Sequence, residues 1–131
     1  MQPLAHHTLL EVHGCDPSLL RHAAELKPRL LEAIRLGGGT VVTELFHNFA
    51  PHGVSGVVVI TESHVAIHTW PEHRYAAVDI FSCGESLNHE LIGRELCAML
   101  CAKEYQARTL ERGCGIMGET IPPRSASHAA T

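Results

Sequence analysis

The period of the hydrophobic pattern changes along the chain and marks out strands and helices. "HHTLLEVHG" (His6 to Gly14) is rich in strand formers and predicts a first strand. Asp16-Pro17 then offers an N-cap followed by a proline at the first helical position. The following "PSLLRHAAELKPRLLEAIRLGGG" has helical composition interrupted by Pro28. The expectation is a short helix from Pro17 and a longer one from Pro28, stopped by Gly37 to Gly39. "TVVTELFHNF" (Thr40 to Phe49) and "VSGVVVITES" (Val54 to Ser63) are β-rich runs joined by the hairpin-like "APHG". "HVAIHTW" alternates, with His64, Ala66 and His68 on one face and Val65, Ile67 and Thr69 on the other. Pro71 ends that strand and "YAAVDIFSC" makes the next. Beyond Ser86, Ile92, Leu96, Met99 and Leu100 recur at helical spacing, and "YQARTLE" supplies a last strand. The tail beyond Gly118 is expected to be loosely ordered. The order strand, helix, four strands, helix, strand predicts an α+β fold: a two-layer sandwich of a mainly antiparallel sheet with helices on one face. Its open face invites dimerisation.

Length and composition narrow the picture. The 131 residues fit a single domain spanning 1–131, small for an enzyme pocket enclosed by one chain. With 45% apolar and 18% charged residues the chain is globular. A formal charge of −4 argues against nucleic acid as a partner, although eleven histidines weaken that exclusion. No apolar run reaches the roughly 18 residues of a membrane span. The start "MQPLAHHTLL" lacks a secretory signal's features, so a soluble, cytoplasmic protein is expected. Five cysteines without framework spacing read as reduced thiols.

Candidate chemistry concentrates in "TESHVAIHTWPEHRYAAVDIFSCG", Thr61 to Gly84. Ser63 and His68 fall on opposite faces of a regular strand, so periodicity alone does not bring them together; a kink near residue 63 would be required. Cys83 ends a strand beside a glycine, where side chains often reach a cleft. Phe49 and Trp70 are two of only six aromatic residues and sit near strand ends, suited to burial or to stacking on a planar ligand. Glu72 follows in a turn, where a solvated carboxylate is the ordinary reading. Singly, none of these residues is decisive.

Together, "GVSGVVVITESHVAIHTWPEHRYAAVDIFSCG" resembles the bacterial and archaeal S-adenosylmethionine decarboxylases, the short pyruvoyl-dependent enzymes of polyamine synthesis. The resemblance is dense from Thr40 to Gly84, weaker through "EVHGCD" and the first helix, and fades after the second helix. It implies a proenzyme that cuts itself at Glu62-Ser63 into a β chain, 1–62, and an α chain, 63–131. Ser63 would attack the Glu62 carbonyl to give an ester, with Ser55 hydrogen-bonding at this stage. His68 would take the α-proton of Ser63, and loss of ammonia would leave a covalently bound pyruvoyl group. That group forms a Schiff base with the substrate amine and accepts the electrons released with carbon dioxide, without pyridoxal phosphate or a metal. Cys83 would return a proton to the substrate, since a thiol holds and releases a proton close to neutral pH. Phe49 and Trp70 would sandwich the adenine and Glu72 would accept from the ribose hydroxyls. The resemblance also implies a homodimer that completes the pocket at its interface.

The chain departs from the family pattern at Ala5-His6-His7, where Gly-Arg-His is common, and at His73-Arg74 after "WPE". The segment "ERGCGIMGETIPPRSASHAAT" matches nothing in the pattern. The same scaffold serves relatives acting on L-ornithine or L-arginine, so those substrates stay open beside S-adenosylmethionine. Two other classes also remain: a metal module using Cys97 and Cys101, one helical turn apart, and an unprocessed partner of an active homologue. "LGGGT" follows a helix and precedes a strand, the wrong order for a phosphate-cradling loop. Cys15 and Cys114 read as incidental thiols, and His47, His52, His64 and His89 as surface or packing residues.

Overall fold

The computed structural model describes residues 2–114 and 118–124. The elements are β1 (Ala5–His13), a 3-10 turn (Pro17–Leu19), α1 (Ala23–Leu36), β2 (Val41–Asn48), β3 (Val54–Ile60) and β4 (Ser63–Trp70). A second 3-10 turn (Pro71–His73), β5 (Tyr75–Cys83), α2 (His89–Met99) and β6 (Glu104–Arg112) follow. The strands form one sheet in the order β2-β3-β4-β5-β1-β6, every neighbouring pair antiparallel. The two-layer α+β arrangement expected from the sequence is therefore present. Residues 118–124 carry no regular structure, and the rest of the expected loose tail, 125–131, lies outside the described residues. Among the described residues no helix is long and apolar enough to cross a membrane.

Two boundaries differ from expectation: Ser63 opens β4 rather than closing the run from Val54, and the first long helix starts early. Asp16 does cap the first turn, accepting from the Ser18 amide at 3.0 Å. The long helix, however, begins at Ala23 and runs through Pro28. A proline inside a helix costs about 3 kcal/mol. Here Leu26, Leu30, Ala33 and Ile34 are wholly buried along one stripe, and burial of a large apolar side chain contributes about 1.5–3 kcal/mol. That stripe outweighs the interruption, and the Arg29 guanidinium also donates to the Glu25 carbonyl at 2.7 Å. The helix start is capped from a distance: His22 supplies no side-chain cap, and Asn48 at the end of β2 accepts from the Ala23 amide at 2.7 Å. Local sequence cannot reveal a cap donated from 25 residues away.

Strand parity divides the sheet. Leu10, Val12, Val58, Ile60, Val65, Ile67, Val78 and Ile80 face the helices and are buried against Leu26, Leu30, Ile34, Ile92 and Leu96. The helices approach closely at Gly37, where a Cβ would come within 2.3 Å of the Ile92 side chain. The other face of the sheet is uncovered. It exposes Leu45, Val57 and Val59, together with His68 and Trp70.

Candidate active site

The residues singled out from the sequence gather at two ends of the sheet. At one end the β3–β4 hairpin turns through Thr61 and Glu62, with Ile60 opposite Ser63 in the ladder. Glu62 has φ +60°, a left-handed conformation normally left to glycine or asparagine. Thr61 N–H donates to the Thr40 carbonyl at 3.1 Å, tying the turn to the segment before β2. The backbone N–H of Cys83 donates to the carbonyl oxygen of Glu62 at 3.4 Å. Ser63 is also paired directly with Ser82, placing it one position from Cys83. A cleft of ≈230 Å³ opens here, lined by Gly38, Gly39, Glu62, Ser63 and Leu87.

At the other end the Ser55 hydroxyl and His68 Nδ1 are 2.8 Å apart, on residues paired across β3 and β4. They line a second cleft, of ≈320 Å³, with Phe49, His52, Trp70 and Glu72. Phe49 and Trp70 are 49% and 42% exposed, much surface for aromatic rings in a chain with so few. Trp70 stacks on Tyr75 at 5.4 Å and the His47 ring meets Phe49 edge-on at 4.6 Å, so each ring is held on one side and open on the other. The loop that carries Phe49 is closed by its own N–H on the Gly53 carbonyl at 2.8 Å. Thr69, buried beneath, accepts from the Val54 amide and donates to the Leu20 carbonyl, fixing the end of β4.

The structure thus joins Glu62, Ser63 and Cys83, and separately joins Phe49, Ser55, His68, Trp70 and Glu72. It does not join the two sets. Ser63 and His68 stand five residues apart on an unbroken strand, about 16 Å at the usual rise. They also lie on opposite faces, as alternation requires, and no kink near Ser63 changes that: β4 is in register with both neighbours from Ser63 onward.

One well-connected residue is not evident from the sequence. His89, at the start of α2, engages both ring nitrogens: Nδ1 lies 2.7 Å from Thr8 Oγ1 and Nε2 lies 2.6 Å from Ser82 Oγ. Thr8 continues to Thr109 at 2.9 Å. Burial, and then the nearby His6 and His7, hold the His89 pKa below its ordinary range, which favours a neutral ring. The available signal is polar residues out of place: Thr8 and Ser82 occupy helix-facing positions on adjacent strands, and buried hydroxyls require partners. Of the cysteines, Cys15 and Cys97 are buried, and burial pushes their thiols up to about 11 and about 12. Cys83 is exposed. On the open face, Phe81 carries the stacked His64 ring at 5.3 Å and the Arg112 guanidinium at 5.7 Å.

The two-layer α+β scaffold is also seen in a solved structure. The chain superimposes on the adenosylmethionine decarboxylase of Aquifex aeolicus VF5 with a TM-score of 0.80 and 27% identity, covering 92% of this chain and 100% of that one. That class is a decarboxylase, a carboxy-lyase. The family model for S-adenosylmethionine decarboxylase matches residues 6–113. The S-adenosylmethionine decarboxylase proenzymes of Acetivibrio thermocellus and Moorella thermoacetica are each 44% identical to it over 113 residues. Those matches cover 86% of this chain and 91% and 90% of the respective relatives. The chain belongs to the S-adenosylmethionine decarboxylase family.

Proposed function

We propose that this chain is a proenzyme that cleaves itself at Glu62-Ser63 and then decarboxylates S-adenosylmethionine, yielding the aminopropyl donor for spermidine. The observation that carries the reading is the junction: a left-handed, non-glycine Glu62 whose carbonyl oxygen already receives the Cys83 N–H. Backbone strain of this kind costs on the order of 1–3 kcal/mol and is relieved when the peptide bond breaks. The Cys83 amide is placed to hold the negative charge that grows on the Glu62 oxygen as Ser63 Oγ adds to the carbonyl carbon. Collapse breaks the C–N bond and leaves residues 1–62 esterified to the Ser63 oxygen. Removal of the Ser63 α-proton expels the Glu62 carboxylate. The dehydroalanine that remains tautomerises, takes up one water and releases ammonia.

His68 is the base for the α-proton, and it belongs to a second copy of the chain. Within one protomer the gap of about 16 Å is too long for any side chain to cross. Ser63 shares the helix-facing parity of Val65 and Ile67, and its α-hydrogen lies near the plane of the sheet. A second sheet packed face to face and reversed would set its Ser55–His68 end against this Ser63–Cys83 end. Sheets pack about 10 Å apart, and the exposed Leu45, Val57 and Val59 give such packing an apolar centre. The pocket would then take Phe49, Trp70 and Glu72 from one protomer, and Ser63 and Cys83 from the other.

Once formed from Ser63, the pyruvoyl group supplies the electron sink that decarboxylation needs. The residues present fit it: its precursor serine lines a cleft and stands one ladder position from Cys83, the proposed proton donor to the substrate carbon. Phe49 and Trp70 offer open ring faces to a planar base and a sulfonium, and Glu72 offers acceptors to vicinal hydroxyls. The topology also accounts for a stable cleaved form. β1 from 1–62 is inserted between β5 and β6 from 63–131, and β3 pairs with β4, so the pieces share one sheet.

Intact mass of the purified protein tests the reading. The expected result is two polypeptides meeting at 62/63, the second beginning with a keto-acyl group in place of an amino terminus. Carbon dioxide release from S-adenosylmethionine, in parallel with L-ornithine and L-arginine, tests the substrate; turnover of only the latter two refutes that part. The strain itself is testable with Glu62→Gly, since glycine adopts φ +60° freely. That variant is expected to melt higher, by about 1 kcal/mol of stability, and to split more slowly in a time course followed by denaturing electrophoresis.

A further inference from the structure

Self-cleavage begins at the Ser63 hydroxyl, and that hydroxyl does not face His68. Ser63 shares the parity of Val65, Ile67 and Thr69, all buried toward the helices, whereas His68 is on the open face in either copy. The group that handles the Ser63 hydroxyl is therefore sought on the helix-facing side of the sheet. Directly across the ladder is Ser82, 1% exposed, whose Cβ should lie about 5 Å from that of Ser63. Behind it, Ser82 Oγ is 2.6 Å from His89 Nε2, and His89 Nδ1 is 2.7 Å from Thr8 Oγ1. Thr8 meets Thr109 at 2.9 Å. Ser63 and Ser82 line adjoining clefts, of ≈230 and ≈390 Å³, that share Leu87 as a common wall.

Resting on the self-cleavage reading above, we infer that the Ser82–His89 pair positions and unloads the Ser63 hydroxyl during ester formation, leaving only the later α-proton step to His68. In the productive tautomer Nδ1–H donates to Thr8, Thr8 donates to Thr109, and Nε2 accepts from the Ser82 hydroxyl. The Ser82 lone pairs are then turned to accept from Ser63. As Ser63 Oγ bonds to the Glu62 carbonyl carbon, its proton passes to Ser82 and the Ser82 proton to Nε2. When the C–N bond breaks, a proton returns along the same path to the nitrogen of Ser63, which leaves as an amine. The shift consumes no co-reactant and ends with His89 neutral. Thr8 and Thr109 keep the ring from rotating. Ser82 exchanges the proton with Ser63, and His89 acts through Ser82.

The two steps differ in what they leave behind. A chain stalled before the shift still has an amide at 62–63, which hydroxylamine does not cleave. A chain stalled after it has an ester, which hydroxylamine does cleave. The experiment follows splitting of wild type, His89→Ala, His89→Gln, Ser82→Ala and His68→Ala by denaturing electrophoresis and intact mass, with and without hydroxylamine. His89→Ala and Ser82→Ala are expected to split on the order of 10²-fold more slowly and to stay intact in hydroxylamine. His89→Gln, whose amide oxygen can accept from Ser82 but cannot take up its proton, should fold like the wild type yet split as slowly as His89→Ala, and a wild-type rate in it would overturn the proton path. His68→Ala should accumulate a chain that hydroxylamine splits. Should His89→Ala fail to fold, Ser82→Ala decides the matter, because it removes one oxygen atom and no bulk. Wild-type splitting rates in both variants, or build-up of a hydroxylamine-labile ester in them, would overturn the inference. Failure of the wild type itself to split refutes the underlying functional reading instead.

Discussion

Ser63→Ala is expected to leave a single unbroken polypeptide of 14.3 kDa that releases no carbon dioxide from S-adenosylmethionine. The variant loses only one oxygen, at a half-buried position at the start of β4, so the sheet register at Ile60 and Ser82 should persist. In the proposed reaction the chemical loss is total, because that oxygen would be both the nucleophile that breaks the backbone and the atom whose departure creates the dehydroalanine. Enzymes commonly accelerate their reactions by at least about 10⁶-fold, and the entire factor should vanish. Denaturing electrophoresis after long incubation and trapped radiolabelled carbon dioxide measure the two effects separately. If the chain still splits, the cut lies elsewhere; if gas is still released, another electron sink is at work.

The second large effect comes from mixing two inactive proteins. Ser63→Ala retains His68, and His68→Ala retains Ser63. Each homodimer is expected to stay unsplit. Co-expressed in equal amounts, they should form mixed dimers in which the His68 of one protomer faces the Ser63 of the other. Random pairing makes half the dimers mixed, each with one complete site of two, so about a quarter of wild-type sites should appear. Only the chain that keeps Ser63 should be cut, which differential tagging would reveal. A site contained within one protomer would give no such recovery. The expectation follows from the geometry of β4, whose ends hold Ser63 and Trp70. No rotamer shortens a strand, so in the proposed dimer the other protomer supplies the His68 that meets Ser63.

The legible part of this protein is the part written in periodicity and punctuation. The alternation of "HVAIHTW" places Val65, Ile67 and Thr69 inward and His64 and His68 outward, and the burial of β4 follows it. Pro71 ends β4, Gly37 ends α1, and the element order is complete from the sequence. Pro28 misleads because its cost is local while the offsetting burial of Leu26, Leu30 and Ile34 depends on the sheet beneath. His89 eludes a local reading for a related reason. Nothing within ten residues of it announces Thr8, which is 81 residues away.

By itself the sequence determined which stretches would be strand or helix, and, through the dense run from Thr40 to Gly84, which residues resemble those that carry the family's chemistry. Only the tertiary structure decided how those residues are grouped. It set Glu62 in a left-handed turn against the Cys83 amide, left β4 without the kink that could have joined Ser63 to His68, and put His89 behind Ser82. The physical reason is that side-chain period is a property of a few consecutive residues. Grouping depends on ladder register and layer packing, which join residues far apart in the chain and, in the proposed dimer, residues of two chains.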